Sequence, residues 1–250
     1  MPPFETHLKT SEKRTGNEYK EIHDWLDNQP ENKKERHDLD RLAENKEYVR
    51  KLWCDEGVNE FLQHIVEDLA MKDIKTLKNE GCPEEAVAHS IEVARKALEI
   101  SSRIGMALDR KLIVLGAIYH DLGKAETYGM QHGEIGAQMA GRLGLDERII
   151  AIILKHIRGG LTEPEAVELG LPVRDYTLRT PEEKIVIYAD RMVDIYTDGI
   201  VPDTDENGAE RRFIDILTTY EKYGKNEVTL KRYLALHEEI QGWVNEKDEV

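Results

Sequence analysis

Residues 109–124 read Asp109-Arg-Lys-Leu-Ile-Val-Leu-Gly-Ala-Ile-Tyr-His-Asp-Leu-Gly-Lys124. Asp109 can cap a helix, and residues 112–118 are almost wholly apolar, so this helix is buried on nearly every side. It delivers His120-Asp121 at its C-terminal end, and Leu122-Gly123-Lys124 terminates it. The surrounding segments repeat the pattern of a polar residue on an apolar face. His89 lies four residues before Val93, on the face that carries Ala97 and Ile100. His156 continues the stripe of Ile149, Ile152 and Ile153. Asp190 falls between Val186-Ile187 and Val193. A buried, unpartnered carboxylate costs several kcal/mol or more, so Asp190 needs a cation or a strong donor. Each residue alone has an ordinary reading: a hydrogen-bonded core histidine, an Asp190–Arg191 pair, a helix-end His120-Asp121 pair acting on the dipole. Their combination on consecutive helices points to a divalent transition metal, which imidazole nitrogen and carboxylate oxygen suit together.

The rest of the chain is read the same way. Strand signals are nearly absent, and the 3.6-residue period recurs, so the fold class is all-α. Helices are expected at 18–28, 34–54, 57–79, 83–102, 109–121, 132–144, 146–157, 163–169, 181–198, 208–223 and 227–246. Residues 1–16 are polar and are expected to fray. Thr180-Pro181-Glu182-Glu183 is a strong helix start. Gly81-Cys82-Pro83 breaks the pattern, giving a helical extension of unknown role over 1–75 and a main domain over 76–250.

The order His89, His120-Asp121, Asp190 resembles the H…HD…D signature of HD-superfamily phosphohydrolases. An HD dipeptide alone is weak, and this chain also contains His23-Asp24 and His37-Asp38. The longer phrase Gly116-Ala117-x-x-His120-Asp121-Leu122-Gly123-Lys124 is specific, with His89-Ser90-x-x-Val93-Ala94 upstream and Ala189-Asp190 downstream. His132-Gly133-x-x-Gly136-Ala137 and His156 fall where bimetallic members place two further histidines. Phrases at 156–186 and 232–240 are similar to a group of small archaeal HD proteins, so the resemblance covers roughly residues 80–245. It implies an HD helical bundle holding one or two divalent ions (Fe, Mn, Ni, Co or Zn). The ligands would be His89, His120, Asp121, His132, His156 and Asp190, with Asp121 bridging. It further implies hydrolysis of a phosphomonoester or phosphodiester in a small nucleotide-like substrate, such as a cyclic phosphate or a dinucleoside polyphosphate. Asp121 and Lys124 would be catalytic, and Lys124 and Arg158 would bind substrate. Arg191 is expected to face away and pair structurally. A non-catalytic nucleotide-binding HD sensor is the alternative, and a purely helical interaction protein a weaker one.

Hydrophobic residues make up 40% and charged residues 34% of the 250 residues, and the net charge is -15. So acidic a surface repels a phosphate backbone, so non-specific nucleic-acid binding is not expected, and a small phosphorylated substrate needs local cations. No apolar run is long enough to span a membrane, the start has no secretory pattern, and the two cysteines, Cys54 and Cys82, are far apart. These features are those of a soluble cytoplasmic protein with reduced thiols, compatible with a homo-oligomer. In the extension, Ile22-His23-Asp24-Trp25-Leu26-Asp27, Arg36-His37-Asp38-Leu39 and His64-Ile65-Val66-Glu67-Asp68 faintly resemble a small helical domain of unknown function. These clusters could form a second metal site; capping and surface histidines on a helical appendage are the simpler expectation.

Overall fold

A computed structural model describes residues 2–201 and 206–248. It is all-α: among the described residues there is no strand. The chain divides into two compact units, Met1–Lys72 and Asp73–Val250.

The first unit contains α1 (Phe4–Thr15), α2 (Lys20–His23), a π-helical turn at Asp24–Asn28, α3 (Lys33–Arg36) and most of α4 (Leu42–Asn79). The expectation that residues 1–16 fray is wrong. The stripe that α1 buries is His7, Leu8 and Ser11, mostly polar, so no apolar period announces it. Those polar groups find partners instead: His7 Nδ1 lies 2.8 Å from Glu67, and the Ser11 hydroxyl donates to Glu60 at 2.6 Å. The histidines of this unit are not surface groups either, since His7, His23 and His64 are fully buried. The expected gap between 54 and 57 is a two-residue kink at Trp53 and Cys54, where the backbone leaves helical geometry inside α4.

The second unit holds α5 (Glu84–Arg103), α6 (Arg110–Tyr119), α7 (His132–Arg142), α8 (Glu147–Lys155), α9 (Glu163–Glu168), α10 (Pro181–Thr197), three short helices α11 (Glu206–Arg211), α12 (Phe213–Thr219) and α13 (Glu221–Gly224), and α14 (Glu227–Asp248). Asp109 caps α6 through the Leu112 N–H, and Asp146 caps α8. Thr180 and Glu183 form a reciprocal capping box at α10, with Pro181 at its first position. The single helix expected at 208–223 is broken at Arg212 and at Tyr220, where the backbone leaves helical geometry and at Tyr220 becomes extended. A Cβ on Gly224 would stand 2.6 Å from the Leu217 carbonyl oxygen.

The core lies where α5, α6 and α10 pack together. Val93, Ala94, Ala97, Ile113, Val114, Ile118, Val186, Ile187 and Ala189 are completely buried there. Burial of this kind contributes roughly 1.5–3 kcal/mol per large aliphatic side chain, and it fixes the helix ends that carry the site. Both cysteines are free, Cys54 exposed and Cys82 buried. Among the described residues no helix is long and apolar enough to cross a membrane.

Candidate metal centre

Helix ends leave main-chain carbonyls without intrahelical partners, and three histidines of the second unit use carbonyls at or beside such ends. His120 Nδ1 lies 2.7 Å from the Ala117 carbonyl at the close of α6, and His156 Nδ1 2.6 Å from that of Ile153 at the close of α8. His132, opening α7, has Nδ1 2.7 Å from the Gly129 carbonyl. A carbonyl can only accept, so each Nδ1 carries the proton, and the neutral ring presents a lone pair at Nε2.

Those Nε2 atoms converge on carboxylates. His132 and His156 Nε2 are 2.7 Å apart and lie 3.4 and 3.5 Å from Asp121 Oδ1. His120 Nε2 is 3.3 Å from Asp121 Oδ2 and 3.4 Å from Asp190 Oδ1. That nitrogen is buried and has no hydrogen-bond partner. His89 Nε2 lies 2.9 Å from Asp190 Oδ1. Two donor sets result, His89–His120–Asp190 and Asp121–His132–His156, each with donor atoms within 4.8 Å of one another. The two oxygens of Asp121 face different sets. All six metal ligands expected from the sequence are thus brought together.

The electrostatics of the side chains call for positive charge. Burial works against a charged His120, yet the carboxylates of Asp121 and Asp190 outweigh it and push the ring up to about 10. Burial would raise Asp121 and Asp190, but the surrounding histidines, His120 foremost, hold both well below the usual carboxylate range. Burial lowers His156. Lys124 pairs with Asp121 Oδ2, and the nearby carboxylates raise its ammonium despite burial.

A cavity of about 240 Å³ opens onto these groups. Lys124 and Arg158 line it, and so do Arg191, Asp194, Lys225 and Tyr233. Arg191 therefore does not face away. It does make structural pairs, donating to Asp194 at 3.1 Å and to the Tyr233 hydroxyl at 2.9 Å, but from the cavity wall. Asp194 escaped the sequence reading although its signal was there: it follows Asp190 by one helical turn, on the same face. Lys225 and Tyr233 had no such signal, being brought in by tertiary packing.

The close approach of α7 depends on glycine. A Cβ on Gly123 would lie 1.9 Å from the His132 carbonyl oxygen and 2.8 Å from the Gly136 nitrogen, while one on Gly136 would lie 2.8 Å from the Gly123 nitrogen. Main chain meets main chain here, which only residues without a side chain permit. Leu122-Gly123-Lys124 and His132-Gly133-x-x-Gly136 are therefore two halves of one contact, and that contact brings His132 to Asp121.

Residues 86–193, which include all eight site residues expected from the sequence, match the HD domain. The chain belongs to the HD-domain family. An uncharacterised protein of Methanocaldococcus jannaschii is 38% identical over 174 residues, which are 68% of this chain and 95% of that protein. A tRNA (cytidine(56)-2'-O)-methyltransferase of Picrophilus torridus is 33% identical over 164 residues, covering 66% of this chain and 44% of the enzyme. A ribonuclease Y of Pseudothermotoga lettingae is 40% identical over 70 residues, 27% of this chain and 13% of that protein. The chain thus spans less than half the length of the last two. No solved structure matches it significantly. The donor chemistry suits this family: imidazole nitrogens and carboxylate oxygens, with the buried His120 Nε2 lacking a hydrogen-bond partner, form clusters that could hold divalent metal ions.

Proposed function

We propose that this HD protein is a metal-dependent phosphohydrolase acting on a phosphomonoester or phosphodiester in a small nucleotide-like substrate. The observation that carries the reading is the convergence of six donor groups, three of the four imidazoles with Nδ1 committed to a carbonyl, beside a cavity lined by cations. His89, His120 and Asp190 would hold one ion, His132 and His156 a second, with Asp121 bridging. When bound, such ions act as Lewis acids on phosphate oxygens and make water a competent nucleophile near neutral pH. The chain's own residues do the rest. Asp121 orients both donor sets through its two oxygens. Lys124 and Arg158 bind and orient the phosphate and oppose the negative charge that grows on it in the transition state. Arg191, held by Asp194 and Tyr233, adds fixed positive charge at the wall.

Size and charge support a small substrate. The cavity of about 240 Å³ lies just under the range of roughly 300–1,000 Å³ usual for small-molecule sites, enough for a phosphate and part of its ester group. A net charge of -15 disfavours broad nucleic-acid binding. Of the relatives, ribonuclease Y by its name acts on RNA, which favours a diester over a monoester. The protein would work in the cytoplasm, alone or as a homo-oligomer. The test is a panel of phosphomonoesters, cyclic phosphates, dinucleoside polyphosphates and short diesters, assayed after reloading with Mn²⁺, Co²⁺, Ni²⁺, Fe²⁺ or Zn²⁺. Metal-dependent turnover of at least one class is expected. Tight nucleotide binding with no turnover across the panel would instead identify a sensor.

A further inference from the structure

We infer that the N-terminal unit holds a divalent transition-metal ion of its own, bound by Asp27 Oδ1, His37 Nε2, His64 Nε2 and Asp68 Oδ2. The proposal stands apart from the phosphohydrolase reading and shares no residue with it.

Proton accounting leads to it. His37 Nδ1 lies 2.8 Å from the Lys33 carbonyl, so it carries the ring proton, and Nε2 of the neutral ring offers a lone pair. That lone pair faces His64 Nε2 at 3.2 Å and Asp68 Oδ2 at 3.3 Å. His64 Nε2 is itself 3.5 Å from Asp68 Oδ2, and Asp27 Oδ1 stands 3.8 and 3.9 Å from the two nitrogens. These four donor atoms all lie within 4.8 Å of one another. Lys33 offers Asp27 a partial counter-charge at 3.0 Å, so Asp27 is the outermost of the four. Asp68 is more deeply set, its side chain only 8% exposed: His7 Nε2 stands 3.3 Å from Oδ1, but neither oxygen makes a full hydrogen bond, and Oδ2 faces only the two ring nitrogens of the cluster. Buried carboxylate oxygens left in this state are costly.

The far side of the cluster is arranged as support for a ligand. His64 Nδ1 lies 3.0 Å from His23 Nδ1, so one of the two donates and the other accepts. His23 Nε2 lies 3.1 Å from Glu60 Oε1 and 3.0 Å from the Ser11 hydroxyl, whose own proton goes to Glu60 at 2.6 Å, so both neighbours accept and the order is set. Glu60 accepts from His23 Nε2–H, His23 Nδ1 accepts from His64 Nδ1–H, and the His64 Nε2 lone pair is turned toward Asp68. Glu60 is anchored in turn by Arg14 and by the Ser11 hydroxyl. His7 Nε2, fully buried, stands 3.3 Å from Asp68 Oδ1 and steadies the other carboxylate oxygen. Carboxylate–histidine chains behind a ligating imidazole are the usual means of fixing its tautomer. The same signature, Nδ1 committed to an acceptor and Nε2 turned to carboxylates, marks His120, His132 and His156 in the HD site.

Two imidazoles and two carboxylates select Mn, Fe, Co, Ni or Zn over Ca²⁺ and Mg²⁺, which favour all-oxygen sets, and over Cu(I), which favours sulfur. The ion would act as a staple. Between α1 and α4 the chain has only short helical turns, at Lys20–His23, Asp24–Asn28, Lys33–Arg36 and Leu39–Arg41. Asp27 and His37 sit on this stretch of short turns, whereas His64 and Asp68 sit one turn apart on the long helix α4. Metal binding would couple the order of the first to the second.

The test uses the full chain with the HD ligands removed by Asp121→Ala and Asp190→Ala, stripped with chelator, reloaded with Co²⁺ alone and desalted. Cobalt content, the visible d–d spectrum and thermal unfolding are read. About one cobalt per chain is expected to remain, with a melting transition that chelator lowers. Adding His64→Ala or His37→Gln should abolish both. His37 is partly exposed, so His37→Gln decides if His64→Ala fails to fold. His23→Ala should weaken cobalt binding by about 10- to 100-fold without removing a ligand. No bound cobalt in the folded HD-ligand variant overturns the proposal and makes the cluster a hydrogen-bonded polar core. Cobalt that survives His37→Gln overturns it as well, since the ion then sits elsewhere.

Discussion

The two histidine clusters of this chain solve the same problem with different materials. In the HD site the main chain sets the donors: His120, His132 and His156 each commit Nδ1 to a carbonyl three residues earlier. In the N-terminal unit only His37 is fixed by a carbonyl, while His7, His23 and His64 are held by carboxylates and by one another. The use of acids differs too. Asp121, adjacent to His120, is central to the HD site. Asp24 and Asp38, equally adjacent to histidines, turn away to Asn28 and to the Asp40 N–H. The acid that reaches the N-terminal cluster is one helical turn on: Asp68 after His64 and Asp27 after His23. A histidine–aspartate dipeptide is therefore not informative by itself: His37-Asp38 also stands at a helix end, as His120-Asp121 does, yet Asp38 caps the following turn instead of joining its neighbour. Inside a helix the partner is at i+4.

The comparison makes claims that can be broken. The largest effect is expected from Asp121→Ala, which removes the carboxylate facing both HD donor sets: metal in that site and catalytic turnover should vanish together in elemental analysis and assay. Retention of full metal content would show that the two sets do not depend on their shared acid. Lys124→Ala should keep metal and fold but slow turnover by about 10- to 1000-fold, the scale of one charge-stabilising donor. Full activity would shift the phosphate-binding role to Arg158, and metal loss equal to that of Asp121→Ala would make Lys124 structural. Gly123→Ala comes next. With a Cβ aimed 1.9 Å from a carbonyl oxygen, α7 must move, at a cost of about 1–3 kcal/mol in denaturant unfolding. Metal content should fall for the set containing His132 more than for the set containing His89. An unchanged midpoint would mean that α7 is not seated by this contact. The smallest effect should follow from a fragment beginning at Asp73: every HD donor lies beyond it, so metal content per HD site should be nearly that of the full chain. Loss of that metal would mean the two units share a core.

Much of this was written in the local sequence, for identifiable reasons. The HD donors ride on strongly apolar helices, so a lone polar residue on each stripe stands out, and the caps Asp109 and Thr180 mark where helices begin. The N-terminal unit hides its logic because its buried stripe is polar. His7 and Ser11 look like surface residues until Glu60, Glu67 and Asp68, about 50 to 60 residues later, supply their partners. The same holds for Tyr233 and Lys225 at the cavity wall. Helix period finds neighbours on one element, not partners delivered by another. The break of 208–223 into three helices was equally illegible, because neither Arg212 nor Tyr220, where the backbone leaves helical geometry, is a helix-breaking residue type.

The glycine contact has a consequence for how the HD site tolerates change. Where Gly123 meets His132 and Gly136, the distance between the two polypeptide segments is set by peptide groups, whose dimensions no substitution can alter. The contact is a ruler. Side chains elsewhere around the cavity can lengthen, shorten or exchange charge, and substrate preference can drift with them, while the span from Asp121 to His132 stays the same. Any adjustment to ions of different radius must then be made by rotating imidazoles and carboxylates, never by moving the backbone that carries them.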